Sequence, residues 1–134
     1  MRDGVTRKLE VAGQGRPTSE FLKTHRITLV IAKGAAVGRE FSIDQERIVV
    51  GRGPDVDLAF DDPSMSREHA AFELTGGHYR VRDLASTNGV MVNGSRQLVI
   101  DLKHGDEIEI GEHVFRWLVE KHSRVGGTYV LDDD

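Results

Sequence analysis

The stretch RITLVIA, residues 26–32, decides the fold class, because Ile27, Leu29 and Ile31 alternate with other residues along the chain. Side chains of a β-strand point to opposite faces in turn, so this period of two predicts a half-buried strand. Short segments of similar character follow it, separated by turn sequences. They predict strands at residues 39–43, 47–51, 56–60, 69–75, 78–84, 90–93, 96–100, 106–110 and 113–119.

Glycine-containing pairs separate these segments at nearly regular intervals. Gly76-Gly77, Asn88-Gly89 and Asn93-Gly94 are typical of tight turns, since glycine and asparagine tolerate left-handed backbone conformations. No long stretch keeps the 3.6-residue apolar period of an amphipathic helix. Many short strands with regular turns predict an all-β protein, either a sandwich or a barrel.

The segment HVFRWLV, residues 113–119, indicates which side chains form the core. One face of this strand carries Phe115, Trp117 and Val119, whereas the other carries Arg116 between two aliphatic residues. Because large aromatic side chains gain most from burial, we expect the face with Phe115 and Trp117 to point inward. Trp117 is then a core residue and not a platform for a ligand.

Composition limits the function classes that need to be considered. The chain has 134 residues, a net charge of -4 and no cysteine, which suits one domain without disulfides or thiolate metal sites. The acidic balance argues against bulk nucleic-acid binding. The chain has no apolar stretch long enough for a transmembrane helix, and its charged N-terminus does not resemble a secretory signal. We therefore expect a cytoplasmic protein that binds neither nucleic acid nor membrane.

The pattern changes at two points along the chain. Residues 1–25 contain few apolar residues and no sustained period, which predicts a flexible N-terminal tail. Residues 26–120 hold the strand pattern and form the predicted domain. Residues 121–134 combine a glycine pair with three final aspartates, so they are predicted to be a flexible C-terminal tail or linker.

Catalytic and metal-dependent functions find little support in the sequence. Ser66, His69 and Asp83 supply the residue types of a hydrolase triad, but no G-x-S-x-G elbow surrounds the serine. The six histidines are dispersed and lack metal-ligand spacing. The G-x-G at Gly51 precedes no helix that would hold a dinucleotide. We expect no enzyme activity, no metal and no cofactor.

Three predicted loops share a common chemical character. Arg52 follows the end of one strand, Ser66-Arg67 lies in a second loop, and Ser86–Gly89 forms a third. Their side chains offer guanidinium, hydroxyl and amide donors without any negative charge. If these loops meet at one end of a sandwich, they suit a compact dianion such as a phosphate group. The alternative is that the hydroxyls satisfy turn backbones and both arginines lie in solvent.

On these residues the chain resembles the forkhead-associated (FHA) domain family. The resemblance rests on Gly51-Arg52, Ser66-x-x-His69, Ser86–Gly89 and Val92–Gly94, and it covers roughly residues 26–120. It implies a β-sandwich of about eleven strands, with the ligand loops at one end. It also implies a module that binds phosphothreonine peptides downstream of a Ser/Thr kinase.

The resemblance assigns a role to each matching position. Arg52 and Ser66 are expected to contact the phosphate, Arg67 to add a second positive contact, and Thr87 to reach the phosphate or its surroundings. Asn88 is expected to hold the peptide main chain. The loops themselves are expected to be shaped by three further residues, Gly51, His69 and Gly89.

Two further possibilities remain open at the level of sequence. FHA domains sometimes bind threonines of their own chain or of a second copy, and Thr128, with Leu131 three residues later, is a candidate phosphoacceptor. The alternative function is a phosphate-independent protein-interaction or oligomerisation domain. FHA domains are also often fused to others, so the chain is compatible with being a fragment of a longer protein.

Overall fold

The computed structural model describes residues 20–125 and 128–132. No helix in this part of the chain is long and apolar enough to cross a membrane. The described residues form one short helix and twelve strands. These are α1 (Glu20–Thr24), β1 (His25–Lys33), β2 (Glu40–Ile43), β3 (Arg47–Gly51), β4 (Leu58–Ala59), β5 (Ala70–Thr75), β6 (His78–Asp83), β7 (Val90–Val92), β8 (Ser95–Gln97), β9 (Val99–Asp101), β10 (Glu107–Ile110), β11 (His113–Val125) and β12 (Thr128–Asp132).

The strands form two sheets. Seven strands make the first, in the order β2-β1-β11-β10-β7-β8 with β12 added to β11, and five make the second, in the order β4-β3-β5-β6-β9. Neighbouring strands run antiparallel, except that β3 and β4 pair in parallel. Apolar side chains from both sheets meet in one buried cluster. The prediction of an all-β sandwich is therefore confirmed.

Aromatic rings join the two sheets at the centre of the core. The ring centroid of Trp117, on β11, lies 5.2 Å from that of Phe72 on β5 and 5.3 Å from that of Tyr79 on β6. Phe115 and Trp117 are fully buried, whereas Arg116 between them is exposed. The inward face predicted from the period of two is the buried one.

A two-residue turn at Asn93-Gly94 connects β7 to β8. Both residues have positive φ angles, 51° and 87°, as a type I′ hairpin turn requires. The Asn93 side chain also accepts a hydrogen bond from the Glu107 N–H, at 3.0 Å, and donates one to the Asp106 carboxylate, at 3.0 Å. This turn thereby fixes β7 and β8 against the start of β10.

The structure differs from the predicted boundaries at both ends of the domain. Helix α1 lies within the segment predicted as an N-terminal tail, and residues 1–19 of that tail lie outside the described residues. At the other end, residues 121–125 of β11 pair with β12. The segment predicted as a flexible C-terminal tail therefore contains a β-hairpin. A glycine pair between two segments is a hairpin signal as much as a linker signal.

Replacing Trp117 with alanine tests how far the two sheets depend on this ring. The change deletes a large side chain from the contact between β5, β6 and β11, so we expect a loss of about 3–5 kcal/mol in the free energy of unfolding. Urea unfolding followed by circular dichroism measures it. Leu98→Ala is the control, since Leu98 is 73% exposed and its loss should stay within about 0.5 kcal/mol. Equal losses in both variants would contradict the proposed core.

Candidate functional site

The three predicted loops leave the sandwich at the same end. Ala70, the first residue of β5, is paired with Val50 near the end of β3 and with Asp83 at the end of β6. The segments that continue from these strands therefore lie side by side. We call this region, formed by residues 51–53, 62–69 and 84–89, the loop end.

Backbone hydrogen bonds hold the first two loops together. The Arg52 N–H donates to the Ser66 carbonyl and the Gly53 N–H donates to the Arg67 carbonyl, both at 3.0 Å. The approach is so close that a Cβ atom on Gly51 would lie 2.2 Å from the Arg67 carbonyl oxygen. Only glycine fits at position 51, because any side chain would separate the loops.

His69 joins the second loop to the third. Its ring is fully buried, and its Nδ1 accepts a hydrogen bond from the Ser66 N–H at 3.0 Å. A ring nitrogen that accepts carries no proton, so in the neutral ring the proton lies on Nε2 and is donated to the Gly89 carbonyl, at 2.8 Å. Both ring nitrogens thus bind backbone, and His69 acts as a brace between Ser66 and Gly89.

Ser66 occupies the centre of this arrangement. Its Oγ accepts a hydrogen bond from the Thr87 N–H at 3.0 Å, which leaves its own hydroxyl proton available to a ligand. The residues considered as a triad are not arranged as one. His69 binds the backbone of Ser66 and not its hydroxyl, and Asp83 accepts from the Ser86 N–H at 3.0 Å.

Two arginines lie at the loop end, and both are exposed. The Nε of Arg52 donates to the Met65 carbonyl at 2.9 Å, which fixes the guanidinium while its terminal nitrogens stay available. The main chain of Arg67 is held in place because its carbonyl oxygen contacts Gly51 and Gly53. Within residues 20–125 and 128–132, neither guanidinium forms an ion pair with a carboxylate.

Hydrogen bonds fix the shape of the third loop in the absence of a ligand. Asn88 donates from Nδ2 to the Ser64 carbonyl at 2.8 Å, and the Gly89 N–H donates to Ser86 Oγ at 2.9 Å. Gly89 has a positive φ of 84°, which favours glycine there. Asn88 and Thr87 remain exposed, so their other polar groups can contact a ligand.

The structure brings most of the predicted site residues into one network. Arg52, Ser66, Thr87, Asn88 and His69 are linked through hydrogen bonds of the three loops. Thr128 is separate from them. It is the first residue of β12, and its backbone pairs with Val125.

Asp62 supports the loop end, although the sequence analysis did not identify it. Its buried carboxylate accepts hydrogen bonds from the Ser64 N–H and hydroxyl, from the Glu112 N–H and from His113 Nδ1. It therefore ties the second loop to the turn between β10 and β11. The D-x-S pattern at Asp62–Ser64 is typical of an Asx turn and was the available signal.

These contacts control the ionisation of Asp62. Burial alone would raise the pKa of its carboxyl group, but the hydrogen bonds from Ser64, Glu112 and His113 outweigh that effect. They lower the pKa from 3.8 to about 2. The folded protein therefore prefers the charged carboxylate.

Arg96 is a second residue that the sequence analysis missed. It lies on β8, and its guanidinium covers Gly89, because a Cβ atom there would lie 2.7 Å from Arg96 Cζ. No ion pair holds Arg96 within the described part of the chain. No short-range sequence signal connects positions 89 and 96.

A cavity of about 550 Å³ lies at the end of the sandwich away from the loop end. Its walls come from α1, the starts of β1 and β6, the loop before β10 and the second half of β11. Phe21, His25, His78 and His104 contribute to it, together with core residues. Across residues 20–125 and 128–132, no three His, Asp or Glu side chains are grouped to hold a metal ion.

Comparison with known proteins matches the central part of the chain. The FHA domain family model matches residues 48–111. The glycogen accumulation regulator GarA of Mycolicibacterium smegmatis is 40% identical over 93 residues, which are 69% of this chain and 59% of that protein. The oxoglutarate dehydrogenase inhibitor of Corynebacterium glutamicum is 33% identical over 114 residues, which are 83% of this chain and 80% of that protein.

A solved structure with the same fold contains a phosphopeptide. EmbR of Mycobacterium tuberculosis, in complex with a low-affinity phosphopeptide, matches with a TM-score of 0.64 and 33% identity. The match covers 69% of this chain and 24% of EmbR. The chain thus spans only part of EmbR and about three fifths of the length of GarA.

Substitution of Asp62 tests the buried anchor through its pH dependence. A pKa lower in the folded state than in the unfolded state gives stability that is present above about pH 4 and is lost as pH falls towards 2. We expect Asp62→Asn to cost about 2 kcal/mol at pH 6, with the gap to the unmodified protein closing between pH 4 and 2. Urea unfolding at each pH measures the gap. The exposed neighbour variant Asp61→Asn should show none, and a gap that stays constant with pH would contradict the argument.

Proposed function

Because this chain belongs to the forkhead-associated (FHA) family, we propose that its loop end binds phosphothreonine in partner proteins. The observation that carries the proposal is the hydrogen-bonded junction of Arg52, Ser66 and Thr87. It gathers donors from three separate loops, and among the described residues neither Arg52 nor Arg67 is paired with a carboxylate. A ligand with several acceptor oxygens and a double negative charge fits that arrangement.

Each donor takes a defined role in the proposed complex. The terminal nitrogens of Arg52 and the hydroxyl of Ser66 bind phosphate oxygens, while Arg67 and Thr87 contribute from the rim. A hydrogen bond to a charged group contributes about 1.5–3 kcal/mol, so two of them separate phosphorylated from unphosphorylated peptide by about a hundredfold or more. Arg52 and Ser66 are held in place by hydrogen bonds to Met65 and Thr87 before the ligand arrives, which reduces the ordering cost of binding.

Asn88 is proposed to hold the peptide main chain next to the phosphothreonine. An amide side chain offers both a donor and an acceptor, which matches the two polar groups of a peptide unit. The bond from Asn88 Nδ2 to the Ser64 carbonyl orients the side chain and leaves Oδ1 free to accept a peptide N–H. Recognition therefore includes the backbone around the phosphothreonine as well as the phosphate.

The cellular role follows from this chemistry. A Ser/Thr kinase must act upstream, since only phosphorylation creates the dianion that the loop end binds. The similar proteins named above are a regulator of glycogen accumulation and an inhibitor of oxoglutarate dehydrogenase. By analogy, this chain acts as a non-catalytic regulator in the cytoplasm, through contact with a phosphorylated partner protein.

Substitution of Arg52 tests the site. Arg52→Ala removes the charged donors together with the Nε bond to the Met65 carbonyl. We therefore expect at least a hundredfold loss of phosphothreonine-peptide affinity, with a loss of only about 1 kcal/mol in the free energy of unfolding. Calorimetric titration of matched phosphorylated and unphosphorylated peptides measures it. Arg26→Ala is the control, because Arg26 is an exposed arginine on β1, at the other end of the sandwich.

The same titration distinguishes the alternative function. If both peptides bind equally well, the domain acts without phosphate. The exposed apolar pair Leu98 and Val99, at the start of the edge strand β9, would then be the first surface to test for partner binding. Full binding by Arg52→Ala would contradict the assigned site directly.

We also propose that phosphorylated Thr128 serves as a ligand for the loop end of the same or another copy. Thr128 is in β12, so the segment must leave β11 before it can bind as a separate peptide. After treatment with a Ser/Thr kinase, we expect mass spectrometry to find phosphate on Thr128. We expect light scattering or competition with added phosphopeptide to reveal self-binding that Arg52→Ala abolishes. Phosphorylated Thr128 without either effect would refute this proposal.

A further inference from the structure

A shallow cleft of about 240 Å³ adjoins the loop end on the side of Asn88. We call it the acidic cleft. Asn88 belongs both to this cleft and to the hydrogen-bonded network around Ser66, so the two surfaces are continuous. A peptide held at Asn88 would therefore pass the cleft. Its walls are formed by Ser64, Asn88, Gly89, Met91, Glu109, Gly111 and Glu112.

The two charged side chains that line the acidic cleft are both negative. Glu109 and Glu112 are both exposed, and among the described residues neither carboxylate has a cationic partner. Among the residues that the structure describes, no lysine, arginine or histidine lines the cleft. The half-buried Met91 supplies an apolar wall between these polar groups.

The nearby cation Arg96 lies beside the acidic cleft but does not line it. Arg96 and Glu109 are both paired with Met91, from opposite sides, so the three side chains share one face of the sheet. The Arg96 guanidinium, however, lies against Gly89 and is not among the lining residues of the cleft. The face therefore carries positive charge on one side of Met91 and negative charge on the other.

The cleft on the opposite flank of the loop end differs in charge. It has a volume of about 270 Å³, and Arg67 lines it together with Asp55 and Glu68. The charges that line this cleft are therefore mixed, and its cation, Arg67, is already assigned to the phosphate in the proposed function. Selection by charge is therefore stronger on the Asn88 side.

We propose that the acidic cleft selects partners with a lysine or arginine close to the phosphothreonine. The aliphatic stem of such a side chain would pack on Met91, and its charged end would pair with Glu109 and Glu112. This inference rests on the proposed function, since it requires the phosphothreonine to be bound at the loop end. The ligand is then a peptide with a phosphate and a neighbouring basic residue. Because the loop end is positive and the acidic cleft is negative, such a peptide binds in one orientation.

A peptide scan tests the inference. The host is an alanine-rich peptide with one phosphothreonine, in which a single lysine or glutamate is moved from four positions before it to four positions after it. Fluorescence anisotropy with the full chain gives the affinity of each. At one or two adjacent positions, we expect lysine to bind about five- to tenfold tighter than glutamate, because each exposed ion pair changes affinity a few-fold. The difference should shrink when the salt concentration is raised.

Variants of the cleft assign the preference to its residues. We expect Glu109→Gln with Glu112→Gln to remove the lysine preference, and Glu109→Lys with Glu112→Lys to reverse it. Glu46→Gln is the matched control. Glu46 is an exposed glutamate before β3, at the end of the sandwich away from the loops, and its variant should keep the preference. Thermal unfolding confirms that each variant is folded.

The outcomes separate this inference from the proposed function. If phosphorylated peptides bind far better than unphosphorylated ones but lysine and glutamate are equivalent at every position, the acidic cleft does not select and the inference fails alone. A lysine preference that survives the double glutamine change also overturns it. If no phosphopeptide binds better than its unphosphorylated form, the proposed function fails and the inference fails with it.

Discussion

The buried imidazole of His69 is the contact on which the loop end depends. Its two nitrogens bind the Ser66 N–H and the Gly89 carbonyl, groups that belong to different loops and are far apart in sequence. A buried backbone group without a partner costs about 1–3 kcal/mol, so the ring favours the arrangement of the two loops in which both groups are paired. Ser66 is thereby placed to receive the Thr87 N–H, and the hydroxyl that would bind phosphate is oriented by the protein itself.

Two further contacts, at Gly51 and Asp62, position the loops in addition to His69. Gly51 allows the first loop to contact the second, and the carboxylate of Asp62 ties that second loop to the turn before β11. Neither residue touches the proposed ligand, yet both determine where Arg52 and Ser66 lie. The loops are thus part of the rigid sandwich, which is why long side chains such as Arg52 can be preorganised on a surface where they are otherwise mobile.

The sequence predicted those parts of the structure that depend on local patterns. Alternation predicted the strands and the inward face with Phe115 and Trp117, and glycine pairs predicted turns such as Asn93-Gly94. The motif residues identified the loops that meet. Contacts between residues far apart in sequence left no such pattern. Asp62 and His113 are 51 positions apart, and the D-x-S pattern at Asp62 indicates a local turn without connecting it to His113. The C-terminal hairpin was missed because its glycine pair fits a linker as well as a turn.

The attraction of the loop end for a phosphate depends on the charges in contact with it and not on the net charge of the chain. The chain carries a net charge of -4, which by itself would repel a phosphate dianion. Surface charges beyond about 8–10 Å are screened at physiological salt, whereas a guanidinium in contact with phosphate is not. The same short range allows Glu109 and Glu112 to line a neighbouring cleft without neutralising Arg52. A surface with opposite charges a few residues apart favours a ligand whose charges are arranged in the complementary order.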